Sequence, residues 1–462
     1  MLRLKRRYGV RSIYMIFLLC CCVSAGLFLY RVVKGTDVTP MSDGQVISSA
    51  KCYEFGSVYD RNGSLIVKGD QGGVKWESEI TRQAFESTLG IDIESSLNSR
   101  STVCGNCPWL FGTEDKRFSV YHLLHPGSTR KGGGVQLTID KELQEYVSTF
   151  FQNQSYQNAY AVISNYKTGE ILAEYGDILK QEMHPGSTLK PILAAAAMTV
   201  DEKNRDYTYE CTDANHNFQT NDGTFRINCA GNEAHGQMNM EDALAYSCNG
   251  YFISLLQKIN RSDMVEELKK WGFDSCVSYP QFIYWDHTFL GKGEEEYDYL
   301  LAAIGQANAY ITPAGLNFST NALLNHGVLK TPVWFTKKQS SEKGEWKKVN
   351  NMVEDRSVCS EEAADSVIQM MKAVTEKGTG VSFYLPDFAA KTGTAQKSSQ
   401  TGETSDLYTV WTTGGIVNDE TPYSITVCLD DVSGEVTSAV AGTMAKEILV
   451  YVMEGENNVR GI

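Results

Sequence analysis

The sequence predicts an α+β fold, one antiparallel sheet flanked by helices, set behind a single N-terminal transmembrane helix and a small N-terminal module. Three patterns carry that expectation. Ser12 to Tyr30 is a nineteen-residue run without a charge, long enough to cross a bilayer as a helix. Strand-like segments stand at both ends of the chain beyond residue 134. Helical segments fill the space between them, which is the order of an α+β domain rather than of repeated βαβ units.

Taken from the N-terminus, Arg3, Lys5, Arg6, Arg7 and Arg11 precede the apolar run, and only Arg31 and Lys34 follow it closely. That asymmetry predicts residues 1–11 as a cytoplasmic tail, 12–33 as the anchor, and the rest as extracellular or periplasmic. Val23-Ser24-Ala25 also fits a signal-peptide cleavage pattern. The apolar run continues past it to Val33, which favours an uncleaved anchor. Residues 34–53 are polar and turn-rich, a linker. From Tyr53, YEFGSVYDRNGSLIVKGD reads as two short strands around Asn62-Gly63. Gly132-Gly133-Gly134 closes this stretch, so 54–133 is expected as a small separate module and 134–462 as the main domain.

The main domain opens on VQLTIDKELQEYVSTFF, a strand passing into a helix with Asp140 at the N-cap and Leu143, Val147 and Phe150 at helical spacing. AYAVISNYKTGEILAEYG reads as a hairpin turning at Lys167-Thr168-Gly169. A helix is expected to begin near Ser187 and another to run from Met240 to Ile259. Late strands are expected at Phe388–Ala395, Tyr408–Val417 and Tyr423–Leu429, before a closing helix from Ser438 to Met453.

Composition narrows the function. The formal net charge is −14, yet the first 34 residues hold seven basic groups and no acidic one. The remainder carries 35 basic against 56 acidic residues. An acidic body argues against nucleic acid, because phosphate binding needs a basic face.

Three short motifs carry chemistry. Ser-x-x-Lys on a helix puts a hydroxyl and an amine on one face, within reach of each other. It occurs at Ser48/Lys51, Ser128/Lys131, Ser187/Lys190 and Ser340/Lys343. HPGSTRK at 125–131 nearly repeats HPGSTLK at 184–190, but Lys131 runs into glycines whereas Lys190 leads into the helical text PILAAAAM. Ser-x-Asn, a second hydroxyl to relay protons and an amide to hold a peptide, occurs at Ser96, Ser247 and Ser319. Lys-Thr-Gly occurs at 167–169 and 391–393. Only Ser187/Lys190, Ser247/Asn249 and Lys391-Thr392-Gly393-Thr394 run in the order S-x-x-K, S-x-N, K-T-G with a helix start, a helical stretch and a strand as settings.

That ordered set resembles the serine acyltransferase signature of penicillin-binding proteins and serine β-lactamases. GSVYDRNGSLI, VQLTIDKELQ and IGQANAYITPAGL extend the resemblance to class B penicillin-binding proteins over nearly the whole ectodomain, with Ala307 where such proteins usually carry glycine. The resemblance implies a penicillin-binding/β-lactamase-like transpeptidase domain and a peptidoglycan D,D-transpeptidase. Ser187 would be the nucleophile and Lys190, as a neutral amine, its general base. Ser247 would relay a proton, Asn249 would hold the stem peptide, and Lys391, Thr392, Gly393 and Thr394 would receive its terminal carboxylate. Backbone N–H groups of Ser187 and Thr394 would form the oxyanion hole. β-Lactams would bind covalently, no cofactor or metal is implied, and a SEDS-type glycosyltransferase would be the membrane partner.

The same resemblance implies a disulfide between Cys211 and Cys229, with Cys248 a buried unpaired thiol. Cys104-x-x-Cys107 beside His122 and His125 is open to zinc, a local disulfide, or unpaired or differently paired thiols. His184 and His235 read as structural, and Trp411 as sheet packing. The competing functions are a D,D-carboxypeptidase or β-lactamase, and a β-lactam-binding sensor or scaffold. Glu94-Ser-Ser-Leu-Asn98 resembles a lactamase element but lies upstream of the nucleophile. A sensor should carry further membrane spans.

Overall fold

The fold is described by a computed structural model covering residues 53–70, 73–91, 107–111, 130–221, 223–279, 282–289, 295–349, 355–398 and 404–460, with seven helical residues between Met15 and Gly26. No helix of the described residues is long and apolar enough to cross a membrane, and most of the expected 12–33 anchor lies outside them.

From the N-terminus, β1 (Ser57–Tyr59), β2 (Leu65–Asp70) and β3 (Gly73–Trp76) lead to α1 (Glu79–Leu89), then β4 (Gly134–Leu137) and α2 (Lys141–Gln152). Gly63 takes the β1–β2 turn at φ +89°, a region open to glycine at little cost. Asp140 caps α2 as expected, its carboxylate accepting from the Glu142 and Leu143 N–H groups, a cap worth about 1 kcal/mol. The hairpin β5 (Asn158–Asn165) and β6 (Ile171–Tyr175) precedes α3 (Lys190–Val200). A polar excursion follows, built from β7 (Tyr209–Cys211), β8 (Asn215–Thr220), β9 (Gly223–Asn228) and β10 (Gly236–Met238). Then come α4 (Met240–Ala245), α5 (Asn249–Lys258), α6 (Pro313–Leu324), β11 (Phe335–Gln339), β12 (Trp346–Lys348) and α7 (Glu361–Lys377). The chain closes with β13 (Phe388–Ser398), β14 (Thr404–Ile416), β15 (Tyr423–Ser433) and α8 (Ser438–Arg460).

The central sheet has five strands in the order β13-β14-β15-β5-β6, all antiparallel. α6 and α7 pack on one face, α3 packs against α7 and α6, and every residue of α6 is buried. α2 and α8 cover the other, so both faces are dry and the strands carry near-continuous buried runs rather than alternation. β13 is an edge strand, which leaves the backbone of Lys391 to Thr394 open on one side.

Residues 57–76 of the expected N-terminal module do not form a sheet of their own. β1 to β3 join β4, β11 and β12 in one six-stranded sheet, order β12-β11-β4-β1-β2-β3, which crosses the expected 133/134 boundary. The three glycines there are not a flexible break. A Cβ on Gly132 would stand 1.8 Å from the Leu110 carbonyl oxygen, and one on Gly133 would stand 1.6 Å from that of Gln339. Gly132 and Gly133 let backbones pass each other inside the fold, and Gly134 leaves room for the Trp346 ring.

Candidate active site

The nucleophile turn is built by glycines on both sides. Gly186 sits at φ +54° and donates its N–H to the Gly305 carbonyl at 3.0 Å. A Cβ on Gly186 would lie 2.6 Å from the Thr394 carbonyl oxygen, and one on Gly393 would lie 2.7 Å from that of Pro185. Ser187 is thereby pressed against the Gly393-Thr394 segment of β13. Trp411 Nε1 donates to the His184 carbonyl at 2.9 Å, and the His184 ring bonds the Ala309 carbonyl at 2.8 Å, so both residues are structural as read from the sequence. Gly186 to Leu189 form one 3-10 turn, and α3 proper begins at Lys190 with Pro191 in its first turn. The expected helix at Ser187 thus starts three residues later.

Met240 to Ile259 is not one helix. It breaks between α4 and α5, and Ser247 stands in the break at φ +59°. A serine rarely adopts that conformation, and here it turns the hydroxyl inward, where it is 3% exposed. The break is held from outside as well. Thr379 N–H donates to the Ala245 carbonyl at 3.0 Å, and Lys377 pairs with Glu241 and Asp242.

Two lysines meet at this serine. Lys190 is fully buried, and its Nζ donates to the Ser247 carbonyl at 2.8 Å, to Ser247 Oγ at 3.2 Å and to Asn249 Oδ1 at 2.6 Å. Asn249 Nδ2 donates to the Asn228 carbonyl at 2.8 Å, which fixes the amide with its oxygen toward the amine. Lys391, also fully buried, donates to Ser247 Oγ at 3.2 Å and to the Thr392 carbonyl at 3.0 Å. Burial pushes Lys190 down to about 8, and burial together with the Lys190 charge holds Lys391 well below the usual lysine range. Among the described residues no carboxylate hydrogen-bonds to either lysine, to Ser247 or to Asn249.

The chemistry follows from counting protons. The three Lys190 contacts use all three protons of an ammonium. When the amine is neutral, the Ser247 hydroxyl is the contact that can reverse and donate to its lone pair. Among the described residues no hydrogen bond joins Ser187 Oγ to Lys190; such contacts commonly tighten only with substrate bound. Thr392 is buried, its hydroxyl 2.6 Å from that of Thr379, a partner the sequence did not point to; Thr394 is exposed at the mouth.

A sequence model of the penicillin binding protein transpeptidase domain matches residues 159–450, more than half of the chain and all three motifs. The chain belongs to that family. Curated relatives of this penicillin-binding protein include stage V sporulation protein D of Bacillus subtilis, 25% identical over 70% of this chain and 53% of the relative. A peptidoglycan D,D-transpeptidase FtsI homolog of Mesostigma viride is 24% identical over 68% and 60%. The chain therefore spans about half the length of the curated relatives it matches. Penicillin-binding protein 3 and PBPA of Mycobacterium tuberculosis superpose with TM-scores of 0.68 and 0.72 at 19% and 16% identity. Each covers 87–88% of this chain and 97–99% of its own, likenesses that establish the fold.

The other motif copies fall elsewhere. Lys167 of the first K-T-G pairs with Asp419 at the β5–β6 turn, and Asn321 of the third S-x-N donates to Ser164 Oγ inside the core at 2.9 Å. Lys131 is exposed, in a short strand, within reach of Glu54 and Glu342, and Ser340 and Lys343 lie in the β11–β12 hairpin. Ser48, Lys51, Glu94, Ser96, Cys104, His122, His125 and Ser128 lie outside the described residues. Ala307 takes φ +56°, the left-handed backbone that explains the glycine usual at this place.

The disulfide expected between Cys211 and Cys229 is not formed. Their sulfurs stand 3.8 Å apart, against about 2.0 Å for a bond, and Cys248 Sγ lies 3.6 Å from that of Cys229. Three thiols share one buried space, so a pairing of two of them does not describe it.

Proposed function

We propose that this chain is a peptidoglycan D,D-transpeptidase. Ser187 attacks the carbonyl of the penultimate D-alanine of a stem peptide and its hydroxyl proton passes to Lys190. The bond to the terminal D-alanine breaks, and that amine leaves with a proton delivered through Ser247. A neighbouring peptide amine then displaces the Ser187 ester and completes the cross-link. Asn249 and the open edge of β13 hold the peptide, with Lys391, Thr392, Gly393 and Thr394 receiving its carboxylate. The observation that carries this reading is the Ser247 hydroxyl shared by two buried lysines, with Ser187 pressed against Gly393-Thr394. Release of the acyl group to water, the lactamase or carboxypeptidase outcome, needs a base to activate that water, and no carboxylate among the described residues bonds to the two lysines or to the Ser247 motif. The intact motif set also weighs against a silent sensor or scaffold.

The anchor at 12–33, the extracellular or periplasmic catalytic domain and a SEDS-type glycosyltransferase as membrane partner belong to the same proposal. They are supported by the apolar run, its flanking charges and the family. The test is reconstitution with a glycan polymerase and lipid-linked substrate. Cross-linked peptide dimers should form with the wild-type chain and vanish with Ser187→Ala. Monomers whose stem peptide has lost only its terminal D-alanine, without dimers, would replace this reading by a hydrolase.

A further inference from the structure

Beside the catalytic constellation, segments distant in sequence converge on one buried point. Cys211 ends β7, Cys229 follows β9, and Cys248 sits between Ser247 and Asn249; all three are buried. The sulfurs form a chain with spacings of 3.8 Å from Cys211 to Cys229 and 3.6 Å from Cys229 to Cys248. His235, just before β10, brings Nδ1 to 3.6 Å from Cys211 Sγ. All four ligand atoms lie within 4.8 Å of one another. A tetrahedral zinc with sulfur at about 2.3 Å and nitrogen at about 2.0 Å holds its ligand atoms roughly 3.3–3.8 Å apart. These three spacings fall in that range, whereas a disulfide would leave the third thiol stranded.

We propose that Cys211, Cys229, Cys248 and His235 form a structural zinc site that fixes the Ser247-Cys248-Asn249 segment. The surroundings suit thiolates. His235 N–H donates to Cys211 Sγ at 3.2 Å, and the backbone N–H groups of Gly250 and Tyr251 are directed at Cys229 and Cys248. His216 adds a further donor. Its Nδ1 lies 2.9 Å from the Tyr209 hydroxyl, and its Nε2 lies 3.5 Å and 3.3 Å from the sulfurs of Cys211 and Cys229. With the Tyr209 hydroxyl donating to Nδ1, Nε2–H donates to the thiolates, the outer hydrogen bonding that orients metal ligands. Zinc binding displaces the three thiol protons, and four protein ligands leave no open position for water. The metal is therefore a positioning element. Through Cys248 it clamps the strained Ser247 backbone to the excursion that also supplies Asn228 to Asn249.

Elemental analysis of the full chain, purified under reducing conditions without chelator, should find one zinc per chain. Reconstitution with cobalt(II) should give the intense visible bands of a tetrahedral thiolate site. Cys229→Ser and His235→Ala should each lose metal, and His216→Ala should keep it. Should the variants fold poorly, the wild-type chain stripped by chelator supplies a second readout: its Tm should fall and recover on adding Zn2+ alone. A metal-free protein with no cobalt spectrum, a Cys211–Cys229 disulfide in non-reducing peptide maps, or full zinc content in Cys229→Ser would overturn the proposal. Zinc retained in His235→Ala but lost in His216→Ala would overturn the fourth ligand.

Discussion

Lys-Thr-Gly occurs twice in this chain, and the two copies have opposite fates. At 167–169 it is a hairpin turn whose lysine points outward, its side chain 39% exposed and paired with Asp419. At 391–393 it lies on the edge strand of the central sheet, with its lysine fully buried beside a second buried lysine. The first cation has a carboxylate partner and water, and does nothing to a substrate. The second is held by a hydroxyl and a carbonyl, an arrangement that disfavours its own charge and suits an incoming carboxylate. The residues of a motif are thus the smaller part of its meaning; burial and the lack of a counter-ion supply the rest.

The largest effect expected within this contrast belongs to the partner lysine. Lys190→Arg keeps a buried cation but cannot yield a neutral base, so acylation by penicillin should fall by roughly 10²–10⁴-fold with the fold retained in circular dichroism. Acylation near the wild-type rate would remove Lys190 from its role. Next come the two K-T-G lysines themselves. Lys391→Ala should slow acylation on the order of 10²-fold, the size of losing one positioned donor. Lys167→Ala should leave it within about twofold, an exposed ion pair being worth under about 1 kcal/mol. Equal losses in both variants would erase the distinction drawn between them.

How much of this was legible follows physical lines. Asp140 was readable because a cap is local, and the strands at 388–395, 408–417 and 423–429 because long apolar runs bounded by turns leave few alternatives. The break at Ser247 was hidden: Tyr246-Ser247-Cys248 holds no glycine or proline, yet the chain closes α4 with the Cys248 N–H donating to the Ala243 carbonyl at 2.8 Å, and tertiary anchors from Thr379 and Asn228 hold the break in place. The joining of β1 with β4 and β11 pairs residues far apart in the chain, which local pattern cannot express. The thiol cluster escaped for the same reason. Its members at 211, 229, 235 and 248 have none of the close spacing of a metal motif, and the family resemblance points only to the pair Cys211 and Cys229.

pH sharpens the contrast further. Because burial brings Lys190 down to about 8, the neutral base is populated as pH rises through that value, and the acylation rate should climb about tenfold per unit below it. A profile flat across that range would contradict a lysine base. The depressed value also means the unfolded chain holds this proton more tightly, so the Lys190 contribution to stability grows as pH rises from about 8 toward the ordinary 10.5. The smallest expected effect on activity separates two of the three S-x-N copies. Asn321→Ala should cost about 1 kcal/mol in denaturant unfolding by removing one core hydrogen bond to Ser164 Oγ, which keeps Asn317 and Ser424, while acylation of the folded fraction stays near wild type. Asn249→Ala should do the reverse, and a slow-acylating Asn321 variant would put the wrong copy at the site.

The central claim is that Ser187, not another serine of the repeated motif, is the acylated nucleophile and that its ester resists water. Incubation with penicillin, intact-mass analysis over hours and mapping of the modified peptide test it in one experiment. The expected result is a single stoichiometric adduct on the peptide containing Ser187, persisting for hours and absent in Ser187→Ala. An adduct on the peptide containing Ser128, or rapid loss of the adduct with catalytic consumption of penicillin, would contradict it.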